Sequence, residues 1–191
     1  MGLAKRETYI SMLRGINVSG HNLIKMELLK NMYAGLGFEN VRSFIQSGNV
    51  VFQSGKTNPK SLEEKITNKI LSEFNMEVPV LVKTAEELSA IIHGNPFRNR
   101  KAADLEKLHV TFLSRLPETI LAEKLKDLHF LPDEYHISTD AIYLFCPNGY
   151  GQTKLNNNFF ENKLKVRATT RNWKTVNVLS EMAAEIPVNR K

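Results

Sequence analysis

The order of secondary-structure patterns in the first 83 residues is the feature that most constrains the fold. A β-prone run at Thr8–Leu13 is followed by apolar residues at helical spacing between Lys25 and Leu36. Two short β-prone runs then flank a turn at Gln46–Gly48, and a second helical pattern precedes a strand that contains Pro79. Because proline cannot donate to a sheet, this strand should begin near Pro79 or lie at a sheet edge.

The second half of the chain repeats much of this order. Thr84 and Glu87 have the spacing of a capping box, which predicts the start of a helix. A strand at Leu108–Leu113, a helix, a hairpin and a helix at Lys154–Lys163 follow, so the order is βαββα. One more helix is predicted after these, at Asn172–Ala184.

These patterns predict an α+β protein. The βαββαβ order is typical of a split βαβ, or ferredoxin-like, arrangement. We therefore predict two packed ferredoxin-like subdomains, residues 1–83 and 84–191, each with an antiparallel sheet and helices on one face. The similar order in the two halves indicates a structural duplication, although no repetition of individual residues is visible.

Positive charge is concentrated in two parts of this chain of net charge +6. Between Pro147 and Thr175 one acid, Glu161, stands against six basic residues, namely Lys154, Lys163, Lys165, Arg167, Arg171 and Lys174. A second run, His93–Lys101, is basic and has no acid. Such clustering favours phosphate-bearing or other anionic partners, whereas a lone run of charge is more often a solvated surface.

Several classes of protein are disfavoured by the sequence. No apolar run approaches the roughly 18 residues that span a bilayer, and the opening residues do not resemble a secretory signal. The single cysteine, Cys146, excludes an intrachain disulfide and favours the cytoplasm. The sequence has no HExxH, GxSxG, Walker A or GxGxxG motif. We predict no metal, cofactor or membrane partner and name no catalytic residue; whether the protein is an enzyme stays open, as does its oligomeric state.

The loop after the first strand is the first candidate binding region. Gly15 and Gly20 permit positive φ angles and a close approach of the backbone to a ligand. Arg14 and Asn17 could bind a carboxylate, a phosphate or the edge of a base. The alternative is that Arg14 and Asn17 only hold the loop against the other subdomain.

The Gly149–Lys154 segment is the second candidate, because it lies between a predicted strand and a predicted helix. Backbone amides at a helix N-terminus, with Lys154 beside them, can bind an anion, although Thr153 could equally be a simple helix cap. Arg171 and Trp173 follow in a polar segment, and Trp173 could stack on a base or belong to the core.

Two further residues carry predictions of a different kind. Pro96 disfavours a helical backbone at Asn95, so Asn95 should close the preceding helix or present its amide outward as a third candidate ligand residue. Cys146 follows the apolar run Tyr143–Phe145, which indicates a buried, unreactive thiol.

Four segments of the sequence resemble those of a known family. They are MLRGINVSGHNLIKM (12–26), IQSGNVVF (45–52), NPF (95–97) and GYGQTKLNNNFFENKL with ATTRNWKTV (149–176). In this order they resemble the bacterial family called domain of unknown function 1697, from about Tyr9 to Leu179. Ser19 stands where that family commonly has the first glycine of a pair. The resemblance implies a two-subdomain α+β fold and brings no established activity.

Together these observations favour a module that binds an anionic ligand, nucleic acid or a nucleotide, in a basic cleft between the subdomains. The residues expected to line it are Arg14, Asn17, Asn95, Lys154, Arg171 and Trp173. A small-molecule enzyme using the same cleft and a protein-docking module are the alternatives.

Overall fold

The computed structural model describes residues 6–18 and 20–187, so Ser19 lies outside the described residues. The strands are β1 (Arg6–Leu13), β2 (Glu39–Phe44), β3 (Asn49–Gly55), β4 (Val80–Thr84), β5 (Leu108–Leu113), β6 (Glu134–Ile137), β7 (Ala141–Phe145) and β8 (Ala168–Asn172). The helices are α1 (Met26–Gly35), α2 (Pro59–Phe74), α3 (Ala85–His93), α4 (Ala102–Leu105), α5 (Thr119–Lys126), α6 (Asn157–Leu164) and α7 (Trp173–Ala184). In this part of the chain, no helix is long and apolar enough to cross a membrane.

The chain divides into two compact units. The first runs to Ser89 and also includes the chain from Val178 onward, and the second is Ala90–Asn177. Within the first unit, an ion pair of 3.0 Å between Arg42 and Glu185 connects the C-terminal segment to β2. The domain boundary after Lys83 stays a prediction.

The first unit contains an antiparallel sheet with the strand order β2-β3-β1-β4. Helices α1 and α2 pack on one face of that sheet, because Leu29 of α1 and Ile66 of α2 join the buried cluster that contains Tyr9, Phe52 and Val82. Tyr9 lies opposite Phe52 in the sheet register, so alternate residues of neighbouring strands supply this core. The sequence pattern βαββαβ is therefore reproduced in space.

The second unit contains an antiparallel sheet with the strand order β6-β7-β5-β8. Helix α5 connects β5 to β6, and α6 connects β7 to β8, so this unit has the same connectivity as the first. Its core joins Ile142 and Leu144 of β7 to Leu125, Phe160 and Leu164 of the two helices. The predicted α+β class with two antiparallel sheets is confirmed.

Strand β8 was not predicted from the sequence, which placed Arg171 in a polar segment before the last predicted helix. Ala168–Asn172 pairs with β5 along its length. Ala168 and Thr169 are buried, and the hydroxyls of Thr170 and Thr111 are 2.7 Å apart on neighbouring strands. Two consecutive β-branched threonines fit a pleated, half-buried surface, and this was the signal in the sequence.

A buried carboxylate accepts a hydrogen bond from the edge strand β4 of the first sheet. Glu63 on α2 is 5% exposed and accepts a hydrogen bond of 3.0 Å from the backbone N–H of Val82 in the edge strand β4. Its second oxygen accepts from Lys60 Nζ at 2.8 Å. Since edge strands expose unpaired donors, this contact satisfies a group that would otherwise be buried without a partner.

Replacing Glu63 with alanine should lower the free energy of unfolding by about 2–3 kcal/mol, because the Val82 N–H would lose a charged acceptor inside the protein. Chemical denaturation followed by circular dichroism measures this change. Glu64→Ala is the matched control, since Glu64 is exposed on the same helix, and it should change stability by no more than about 0.5 kcal/mol. Equal losses in the two variants would contradict the assigned role.

Candidate functional site

The segment after β7 forms the candidate site, but not as a helix N-terminus. Gly149 has a φ of +91°, and Tyr150–Gln152 forms a short 3₁₀ turn. Helix α6 begins at Asn157, where the side chain of Asn156 caps it by accepting from Phe159 N at 3.0 Å. The predicted helix start at Lys154 is therefore wrong, whereas anion binding by this segment stays a prediction.

Thr153 connects this segment to the chain before β6. Its Oγ1 donates to Asp133 Oδ2 at 2.6 Å and accepts from Leu155 N at 3.0 Å. Thr153 is 9% exposed, so this contact is protected from competition with water. The hydroxyl therefore fixes the position of the Gly149–Lys154 segment against Asp133 rather than capping α6.

A cavity of about 420 Å³, which we call the polar pocket, lies between these two segments. One side is lined by Asn148, Gln152 and Lys154, and the other by residues 129–133, including His129 and Asp133. The pocket thus contains an ammonium group, two amide side chains and one carboxylate with an oxygen already engaged by Thr153. This donor-rich arrangement suits an anionic group.

A second cavity, which we call the aromatic pocket, has a volume of about 460 Å³. Its lining includes Phe97, Phe130 and Tyr135. Four residues line both pockets, namely His129, Phe130, Leu131 and Asp133. The two pockets are therefore neighbours within the second unit and share the wall that these four residues form.

Asn95 immediately precedes Pro96 and Phe97, two residues that line the aromatic pocket. Asn95 is 2% exposed, and its Oδ1 accepts from Phe97 N at 2.9 Å. Its Nδ2 is buried and has no hydrogen-bond partner among the residues that the structure describes. A buried donor without an acceptor is costly, although Asn95 itself lines neither pocket.

Arg171 projects from β8 and lines neither pocket. One of its guanidinium nitrogens donates to Thr170 O at 2.9 Å. Burial lowers the pKa of Arg171 to about 10, and Tyr150 opposes this shift, so the side chain remains charged at neutral pH.

The Tyr150 ring also stacks on His109 with ring centres 4.9 Å apart. Burial lowers the pKa of His109, and a hydrogen bond to Lys107 O opposes that change.

Trp173 is the first residue of α7 and is 8% exposed. Its carbonyl accepts from Asn177 Nδ2 at 2.7 Å, one turn further along the helix. The structure therefore places Trp173 in the buried part of the molecule, in agreement with the alternative that it belongs to the core.

Arg14 and Asn17 belong to the first unit. Asn17 Nδ2 donates to Ile24 O at 2.9 Å and to Gln46 O at 2.8 Å, and its Oδ1 accepts from Ile24 N at 2.8 Å. Asn17 thus holds its loop to the turn before β3, within the same unit. Arg14 is half-buried, and its backbone N–H donates to Pro79 O at 2.9 Å. That these residues share a cleft with Lys154 and Arg171 stays a prediction.

The segment His129–Asp133 and the amides of Asn148 and Gln152 were not predicted from the sequence. A lone histidine or aspartate in a connecting segment forms no basic or glycine-rich pattern. Asn148 and Gln152 flank Gly149 and Gly151, and this placement of amides around glycines was the available signal. Among the described residues, no group of three or more His, Cys, Asp or Glu side chains is arranged to hold a metal.

Comparison with known proteins gives a family and a fold. A family model described as a protein of unknown function, DUF1697, matches residues 6–143. The chain belongs to this family. The resemblance of the sequence motifs to DUF1697 is therefore confirmed. No curated protein matches the chain.

Among solved structures, this DUF1697 protein is similar to the conserved bacterial protein SP0830 from Streptococcus pneumoniae, with a TM-score of 0.71 and 23% identity. The match covers 93% of this chain and 99% of that one. At this identity the likeness shows the fold alone.

Proposed function

We propose that this DUF1697 protein binds a small anionic ligand, a nucleotide, in the polar pocket of its second unit. The observation that carries the proposal is the convergence of Lys154, Gln152 and Asn148 on one cavity of about 420 Å³. Small-molecule sites commonly have volumes of roughly 300–1,000 Å³ and a few placed polar groups. The pocket meets both conditions.

The charges of the second unit support an anion as the ligand. Lys154 supplies a positive charge and three donors to the polar pocket. Asp133 is the one carboxylate of the polar pocket, and Thr153 donates to its Oδ2. An incoming phosphate would therefore meet donors from the Asn148–Lys154 side of the pocket.

Nucleic acid is the alternative anionic ligand, and the size of the cavity favours the nucleotide. A nucleic acid contacts an extended basic surface along several phosphates, so its affinity falls steeply as salt is added. A single phosphate bound beside one lysine gives a shallower dependence. The slope of affinity against salt concentration therefore separates the two ligands.

Replacing Lys154 with alanine should weaken nucleotide binding about 5- to 150-fold, which corresponds to the loss of one charge-assisted contact of about 1–3 kcal/mol. Isothermal titration calorimetry with adenosine, guanosine, cytidine and uridine 5′-monophosphates, and with a single-stranded oligonucleotide, measures this change. The matched control is Lys163→Ala, which removes another exposed lysine of the same unit. Absence of nucleotide binding, or equal losses in the two variants, would overturn the proposal.

We also propose a ferredoxin-like fold for each unit and a cytoplasmic location. The shared strand order of the two sheets supports the first, since it is the order that a split βαβ arrangement produces. The presence of one cysteine, which is unpaired and buried, supports the second.

A further inference from the structure

The aromatic pocket has a wall that is held in place by several contacts. Arg100 lies over the ring of Phe97 at 5.0 Å and over the ring of Phe145 at 3.9 Å, and it pairs with Glu134 at 2.6 Å. The hydroxyl of Tyr135 donates to Leu128 O at 3.0 Å, which fixes its ring. Since these side chains are already ordered, a ligand that enters would not have to order them.

The aromatic side chains of this lining suit a planar ring. Phe97, Phe130 and Tyr135 supply aromatic surface, on which a base can stack. Asn95 does not line the pocket, but it immediately precedes two residues that do, and its buried Nδ2 lacks an acceptor among the described residues. The backbone N–H of Phe97 donates to Asn95 Oδ1, so Asn95 is bonded to a residue that lines the pocket.

The shared wall relates this pocket to the polar pocket. His129, Phe130, Leu131 and Asp133 line both cavities, so the two cavities lie side by side. Resting on the function proposed above, we propose that the aromatic pocket receives the base of the nucleotide whose phosphate lies in the polar pocket. The ligand class is then a nucleoside phosphate, recognised at both ends.

The test compares two probes that share a sugar phosphate and differ in the base. We expect the best-binding nucleoside 5′-monophosphate to bind about tenfold or more tightly than ribose 5-phosphate, because a stacked base adds to the affinity. Phe97→Ala should remove this difference and leave the affinity for ribose 5-phosphate unchanged. Phe74→Ala, which truncates a half-buried phenylalanine of the first unit, is the matched control and should keep the difference.

The outcomes separate this inference from the function on which it rests. If both probes bind equally and Lys154→Ala weakens both, the polar pocket holds the anion and the role of the aromatic pocket is refuted. If neither probe binds, the proposed function and this inference both fail. Phe97→Leu keeps apolar volume without a ring, so it should also reduce the difference between the probes, and it tests the inference even if Phe97→Ala does not fold. A Phe97→Leu variant that keeps the full difference would refute stacking on this ring.

Discussion

Replacing Gly48 with alanine should lower the free energy of unfolding by about 3 kcal/mol, because two independent costs add at this position. Gly48 has a φ of +71°, where a side chain costs about 1–2 kcal/mol. A Cβ atom there would lie 2.7 Å from Leu13 Cβ and 2.7 Å from Ile16 Cδ1. Leu13 and Ile16 are at most 1% exposed, so neither has room to move away.

Gly37→Ala is the control that separates the two costs. Gly37 has a φ of +80°, and a Cβ atom there would meet nothing within 4 Å. Its replacement should therefore cost only about 1–2 kcal/mol, the part that arises from the backbone. Urea denaturation of the two variants and the parent protein gives both values. If Gly48→Ala is no more destabilising than Gly37→Ala, the tight contact with Leu13 and Ile16 does not exist in solution.

A thiol reagent should label Cys146 in the native protein at least about a hundredfold more slowly than in denaturant at pH 8. Cys146 is 0% exposed, as predicted from its apolar neighbours. Burial raises the pKa of its thiol from 9.0 to about 11, Asp133 adds to the rise, and a hydrogen bond with Thr153 opposes it. This rise in pKa lowers the fraction of reactive thiolate at pH 8 about a hundredfold. Burial also restricts the access of the reagent to the sulfur, which should slow labelling further. Native labelling at the rate of the denatured chain would contradict this.

The same pKa predicts how stability changes in alkali. The folded thiol binds its proton more tightly than the unfolded one, so its contribution to stability is complete below about pH 9 and is lost as the pH rises toward about 11. The stability difference between the parent protein and Cys146→Ala should therefore be constant at neutral pH and shrink between pH 9 and 11. Tyr9 and Tyr143, with pKa values raised to about 12, act in both proteins and cancel in this comparison. A stability difference that grows between pH 9 and 11 would contradict the raised pKa of Cys146.

The local patterns of the sequence determined most of the elements of this protein. The predicted strand at Leu108–Leu113 has the bounds found in the structure. The capping box is also present, since Thr84 N donates to Glu87 Oε2 at 2.8 Å and Glu87 N donates to Thr84 Oγ1 at 3.0 Å. Both features depend on residues within one short segment, so the spacing of residue types is enough to specify them.

Strand β8 and the two pockets were decided by the tertiary structure. Thr170 is part of a strand because β5 lies beside it and Thr111, 59 residues earlier, meets its hydroxyl. The polar pocket exists because Thr153 bonds to Asp133, 20 residues earlier, and brings Lys154 opposite His129. Such contacts join side chains that no local periodicity relates, and their positions follow from the order of strands in the sheet. The sequence could therefore specify where helices and strands form, whereas the neighbours of each polar side chain followed only from how those elements pack.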